Sequence, residues 1–424
     1  MRRNAIDVAR VSALIVVVLG HLTLAVIDRP HGHIRGANLL ALHPSWAFVA
    51  ALAPMPVFFA AAGWAHVTSS LETASARLAA LLGLGAVVVA TWSVGVGIAV
   101  GLNGHAGVFG DGARIATQPL WFVAGYAPLV PLGARLGRLG RDHALAAVTI
   151  ALGTLAALDV ARFTFGAPEW IGWIGFYLVW GTPWLLGGWW RARHEAGGFD
   201  ERRVGLALMA GAVVVGTVLV LGFGYAPALI DAVPGARSNT TPPGLYTCVA
   251  AIGQVGALMT LGTWLDNIGA RWRHMWDRAG ELSLGIYAWH LTALSLCGAV
   301  LAAGFPAPTR LTTLWWLTRP LWYAAVLGLA TLFVLATSGV RAQLRRRSRA
   351  DTAPPQLQAA LGVVLAVAGG ATVGLRGPRS LPLAAWCAAF FVGSWLLLRR
   401  RVSSPESGGP STPAQTTQPP LPLR

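Results

Sequence analysis

The chain is expected to be an all-α, polytopic transmembrane helical bundle, and three observations point there. Of its 424 residues 55% are hydrophobic and only 11% charged, whereas a soluble domain carries about 25% charged residues. The mean hydropathy is +0.59, which leaves a soluble fold nowhere to hide its apolar surface. Apolar runs long enough to cross a bilayer, roughly 20 residues each, also recur along the whole chain with short polar segments between them.

Taken in order, the runs place helices at 8–27, 46–66, 78–102, 118–134, 144–161, 170–190, 204–224, 245–265, 281–303 and 314–338. Two more follow at 358–375 and 382–398, giving a ten-helix block and an extra C-terminal pair. The first run begins almost at the N-terminus but has no small-residue cleavage site at its end, so it is expected to be a retained helix. Between the block and the pair, residues 341–357 form a basic cytoplasmic linker that contains Pro354 and Pro355. The expected domains are therefore 1–340, the linker 341–357, the pair 358–398 and a disordered tail 399–424 rich in Ser, Pro, Gly, Thr and Gln.

With a cytoplasmic N-terminus, the inner segments collect 21 arginines, among them Arg3, Arg77 and Arg135, against 9 outside, among them Arg29, Arg162, Arg237 and Arg319. That asymmetry points both termini inward, and the expected location is the plasma membrane with both termini cytoplasmic. The net charge of +16 thus reads as topology and not as a nucleic-acid footprint. All 32 basic residues are arginine, which excludes lysine chemistry. Cys248, Cys297 and Cys387 lie far apart within apolar runs and are expected to be small core residues. His31, His33 and His43 share one loop at spacings that fit no zinc pattern, so no metal is expected. The Asn239-Thr240-Thr241 sequon has meaning only in a glycosylating cell.

An ionisable group at bilayer depth costs roughly 2.5–3.5 kcal/mol on insertion scales, so each one within a run is a functional candidate. The first run contains Asp7, Arg10 and His21. Eleven residues at about 100° each return His21 to the face of Arg10, some 16 Å further along the axis, and Asp7 shares that face. Two readings stand at this point: an interfacial ion pair with a packing histidine, or an arginine that holds an anion with a deeper histidine that moves a proton. The ninth run stacks Ser283, Tyr287 and His290 along one face at spacings of four and three, again open to packing or to function. Trp121 opens the fourth run, where an aromatic belt is the alternative to a binding role.

With these residues in place, the chain resembles the acyltransferase-3 family of multi-span membrane O-acyltransferases. The resemblance rests on D-x-x-R and R-x10-H (Asp7, Arg10, His21), on Pro56-Val57-Phe58-Phe59-Ala60-Ala61-Ala62-Gly63-Trp64, on Pro119-Leu120-Trp121-Phe122, and on the Ser-x-x-x-Tyr-x-x-His of Ser283, Tyr287 and His290. Together these markers cover roughly residues 4–340. Where family members often carry R-x-x-R in the first cytoplasmic loop, this chain has Ala74 and Arg77.

The resemblance implies transfer of an acyl group, expected to be acetyl, from acyl-coenzyme A to a hydroxyl of a cell-envelope glycan or a glycosylated secondary metabolite in a bacterium. No bound cofactor is implied; acetyl-coenzyme A is a co-substrate. His21, Arg10 and Asp7 would be catalytic, and Arg77, Ser283, Tyr287, His290 and Trp121 would bind substrate. Tyr287 or His290 would either donate to the developing oxyanion or line the acceptor pocket. A proton-coupled secondary transporter or flippase is the alternative from a different class.

Overall fold

The computed structural model describes residues 3–28, 35–43, 45–46, 49, 52–229, 238–306, 308–348 and 354–399. Arg29, His31, His33, Arg237 and the expected tail beyond Arg399 lie outside the described residues, as does the middle of the expected linker.

The chain opens with α1 (Asn4–Leu24), a two-stranded antiparallel hairpin of β1 (Ala25–Asp28) and β2 (Arg35–Asn38), and the short α2 (Leu39–Leu42). Then come α3 (Met55–His66), α4 (Leu71–Asn103), α5 (Gly107–Thr117), a 3-10 turn (Gln118–Trp121) and α6 (Phe122–Phe163). A second 3-10 segment (Glu169–Gly175) leads into α7 (Phe176–Ala196), followed by α8 (Glu201–Phe223), α9 (Leu245–Thr260) and α10 (Gly262–Arg271). The last part comprises α11 (Arg273–Ala302), α12 (Thr313–Leu317), α13 (Arg319–Ala336), α14 (Ser338–Ser348), α15 (Gln356–Leu375) and α16 (Leu381–Leu398). The fold is an all-α polytopic bundle, as the apolar runs require.

Local chemistry sets several of the ends. Ser70 caps α4 by accepting from the Thr73 N–H, and Gly104 closes it in the left-handed region at φ 75°. Asp200 accepts from the Arg203 N–H at the start of α8, and Gly224, φ 70°, ends it. These are ordinary start and stop signals, with a carboxylate or hydroxyl satisfying orphan N–H groups and glycine tolerating positive φ.

Among the described residues, eight helices are long and apolar enough to cross a membrane, and the pair α9 and α10, bent by 57°, makes a ninth. The difference from twelve runs has three physical sources. The runs 118–134 and 144–161 fall in one 42-residue helix, α6, broken at His143 (φ −138°, ψ 26°). At about 1.5 Å per residue that helix is roughly 63 Å long, twice a hydrocarbon core of about 30 Å, which is length enough for two crossings. The run 46–66 is helical only over the 12 residues of α3. The run 170–190 becomes α7, whose Trp, Gly and Arg residues dilute its hydropathy.

α1 lies inside the bundle, against α3, α10 and α11. Its first turn is tied down by Arg3, which bonds Glu201 at 2.9 and 3.0 Å and Asp266 at 2.8 Å, with its guanidinium 4.9 Å from the Trp190 ring centre and 5.3 Å from that of Trp64. Burial opposes this charge, yet the two carboxylates outweigh it and hold the Arg3 pKa above its ordinary value. α3 and α7 touch backbone to backbone: a Cβ on Gly63 would lie 2.7 Å from the Trp184 carbonyl carbon, and one on Gly187 2.8 Å from that of Ala60. α15 and α16 lie against α6 and α4 in the same glycine-notched way, with Gly370 on Ala124, Gly374 on Trp121 and Gly85 under Phe391.

Candidate active site

Two helices that are distant in sequence bring two histidines together. The Nδ1 of His21, on α1, is 2.8 Å from the Nε2 of His290, on α11. The rings are parallel to within 3°, with centroids 5.1 Å apart. His290 is fully buried at 0% exposure, whereas His21 keeps part of its surface open. His290 Nδ1 reaches the carbonyl of Tyr287, one turn earlier, at 2.6 Å.

Of the other sequence markers, Tyr287 lies beside His290, 5.7 Å between ring centroids, and Phe122 beside Tyr287. The Tyr287 hydroxyl donates to the Pro119 carbonyl at 2.8 Å, and its ring meets Phe122 edge-on at 5.5 Å. Phe122 packs against Phe58, 6.0 Å between centroids, and Phe59 stacks on Trp180 at 5.1 Å. Tyr287 is 2% exposed and its single proton is engaged by Pro119, so it acts as a strut between α11 and the 3-10 turn Gln118–Trp121. Trp121 is half-buried, lying against Trp180 on one side and Gly374 of α15 on the other. The Ser283 hydroxyl turns back to the Gly280 carbonyl of its own helix at 3.3 Å.

Toward the N-terminal end of α1 the site becomes cationic. Arg10 is 49% exposed and lies 3.6 Å from Asp7, one turn below it. Arg77, on α4, is exposed and donates to Ser69 Oγ at 3.2 Å. Ala74, by contrast, is buried at 2% exposure. His66 closes α3 and Tyr126 lies in the first turns of α6. The Tyr126 hydroxyl is 3.3 Å from His66 Nε2, and the His66 ring stacks on Trp184 at 5.3 Å. His66 is 3% exposed, and its Nδ1 is buried without a hydrogen-bond partner.

His66 and Tyr126 are absent from the sequence-level candidates. His66 ends an apolar run and so reads as a boundary residue, and Tyr126 lies one turn beyond Phe122 in a run where a tyrosine carries no signal. The only clue was that an ionisable residue at the end of a run is still an ionisable residue beside a bilayer.

A separate cleft of about 350 Å³ opens between the end of α6 and residues Ser238–Pro242, with Arg162, Glu169 and Trp173 in its wall. Arg162 there is buried between Asp159, at 3.1 Å, and Glu169. None of the sequence-predicted site residues lines it.

The arrangement suits group transfer between a charged and a neutral substrate. Two guanidinium groups at one end can pair with phosphate, bidentately and without losing charge. Along the same helix, His21, which is partly exposed, can take a proton from a hydroxyl. A multi-span helical bundle with an arginine and a histidine on one helix face is compatible with a membrane acyltransferase. The acyltransferase-3 family model, described as "Acyltransferase domain", matches residues 3–339, and the chain belongs to that family. No curated protein and no solved structure shows significant similarity to the chain.

Proposed function

We propose that the protein is a bacterial plasma-membrane O-acyltransferase that moves an acyl group, acetyl foremost, from acyl-coenzyme A to a hydroxyl of a cell-envelope glycan or of a glycosylated secondary metabolite. The observation that supports this most is the placement of His21: it shares a helix face with Arg10 and meets His290 at 2.8 Å. Both termini are cytoplasmic in this scheme, so the Arg10 end faces the compartment that supplies the donor.

Arg10 and Arg77 receive the phosphates of the donor, with Asp7 orienting Arg10. The acyl thioester extends along α1 toward His21. There His21 removes the proton of the acceptor hydroxyl as its oxygen attacks the thioester carbonyl carbon. The tetrahedral intermediate collapses with cleavage of the C–S bond, and the departing thiolate takes the proton back from His21. Ser283, Tyr287, His290 and Trp121 frame the path from the α11 and α6 sides. Family membership favours this scheme over the transport alternative.

Purified protein in detergent is expected to convert acetyl-coenzyme A and a hydroxyl acceptor into free coenzyme A and an acylated product. His21→Ala is expected to lower kcat by about 10²–10⁴-fold, the usual worth of a general base, while the protein elutes unchanged from a sizing column. Full turnover by this variant would remove His21 from the chemistry.

A further inference from the structure

The geometry points to His290 as a positioning residue that fixes which nitrogen of His21 is the base: it holds the proton of His21 on Nδ1 and leaves Nε2 with the lone pair. This rests on the proposal that His21 is the base, and it adds a direction to the hydrogen-bond chain behind it.

The direction follows from what each atom is able to do. A carbonyl oxygen only accepts, so the 2.6 Å contact between His290 Nδ1 and the Tyr287 carbonyl requires the proton on His290 Nδ1. A neutral His290 then presents an unprotonated Nε2. Its 2.8 Å contact with His21 Nδ1 is a hydrogen bond only if His21 donates, which puts the His21 proton on Nδ1. His21 Nε2 is left as the lone-pair nitrogen. Behind this chain, the Tyr287 hydroxyl is anchored on Pro119, in the 3-10 turn that precedes α6.

The competing arrangement has His290 doubly protonated and donating to His21. It would bury a cation at 0% exposure, and among the described residues no carboxylate is hydrogen-bonded to either ring. An uncompensated buried charge is strongly disfavoured, so the neutral pair is the ground state. When the acceptor hydroxyl gives its proton to His21 Nε2, the imidazolium formed keeps its Nδ1–H directed at His290 Nε2. His290 fills the place that a carboxylate takes in a Ser-His-Asp triad, but without a charge.

Two measurements test this. In the first, protein labelled with ¹⁵N-histidine is studied by NMR in detergent, with the His21 signals assigned by their loss in His21→Gln. The expected result is a protonated Nδ1 and an unprotonated Nε2 in the wild type, and the opposite tautomer in His290→Leu, because an imidazole without this acceptor prefers Nε2–H. A wild-type His21 protonated on Nε2 and bare on Nδ1 would overturn the assignment, whether or not acyl transfer is detected. The second measurement is turnover with acetyl-coenzyme A. His290→Leu is expected to lose about 10²-fold in kcat with little change in the KM for the donor, as removal of an orienting partner does. His290→Gln, whose amide oxygen accepts from His21 Nδ1, is expected to stay within about tenfold of the wild type. Equal kcat values for Leu and Gln variants would refute the positioning role. Absence of turnover in the wild type would instead count against the proposed function and leave the NMR result to decide on the pair.

Discussion

The tightest test of the packing is to add one methyl group where α3 meets α7. A Cβ on Gly63 would lie 2.7 Å from the Trp184 carbonyl carbon, and one on Gly187 2.8 Å from the Ala60 carbonyl carbon. Carbon atoms settle at about 3.5–4.0 Å, so either Gly→Ala change must push the two helices apart by roughly 1 Å. The obstacle is backbone, which unlike a flexible side chain does not rotate away, so the cost belongs at or above the upper end of the usual ~1–3 kcal/mol for overpacking. The displacement also moves Phe58, Phe59 and His66, which all ride on α3, so activity should fall together with stability. Gly211 in α8 provides the internal control, because a Cβ there meets nothing within 4 Å. Alanine at that position should be neutral or stabilising by up to about 1 kcal/mol. The assay is thermal unfolding in detergent of the three variants and the wild type side by side. Equal melting temperatures for Gly63→Ala and Gly211→Ala would refute the close α3/α7 contact.

Two further predictions concern charges. Arg10→Gln should raise the KM for acetyl-coenzyme A by roughly tenfold with a smaller effect on kcat. One charge-assisted hydrogen bond contributes about 1.5–3 kcal/mol, and the half-exposed side chain justifies the low end; an unchanged KM would remove Arg10 from the donor site. Arg3→Gln leaves Glu201 with His194 alone, at 2.6 Å, and Asp266 with the Ala5 N–H alone, at 2.7 Å, and should cost about 1–3 kcal/mol, below the ~3–5 kcal/mol of a fully buried broken pair. A double-mutant cycle with Glu201→Gln should recover at least about 1 kcal/mol of that loss, and additivity would show that the 2.9 Å contact contributes no stability.

Periodicity made the two halves of the site readable in sequence, but not their meeting. Asp7, Arg10 and His21 fall on one face by arithmetic, as do Ser283, Tyr287 and His290, because 3.6 residues per turn is a local property. That His21 and His290 touch across 269 residues is a property of helix packing that no local pattern encodes. The same limit hid the contact of His66 on α3 with Tyr126 on α6. Helix existence was legible wherever a run was purely apolar. It blurred at 135–143, where Arg135, Arg138 and Arg141 lie at helical spacing and α6 runs on to its break at His143. The four-residue strands β1 and β2 were invisible, being too short to show an alternation.

The helices α15 and α16 lie beyond the residues matched by the family model, yet they are not attached as an appendage. Gly370, Gly374 and Gly377 seat against Ala124, Trp121 and Arg114, and Ser93 of α4 donates to the Ala384 carbonyl at 3.0 Å. Glycines on both partners thus form a joint cut to fit. A chain ended at residue 348 would turn the α4 side of that joint toward lipid, with the space at Gly85 that Phe391 fills left open. A chain cut after residue 348 is therefore expected to be less stable than the full chain, although the family model ends at 339.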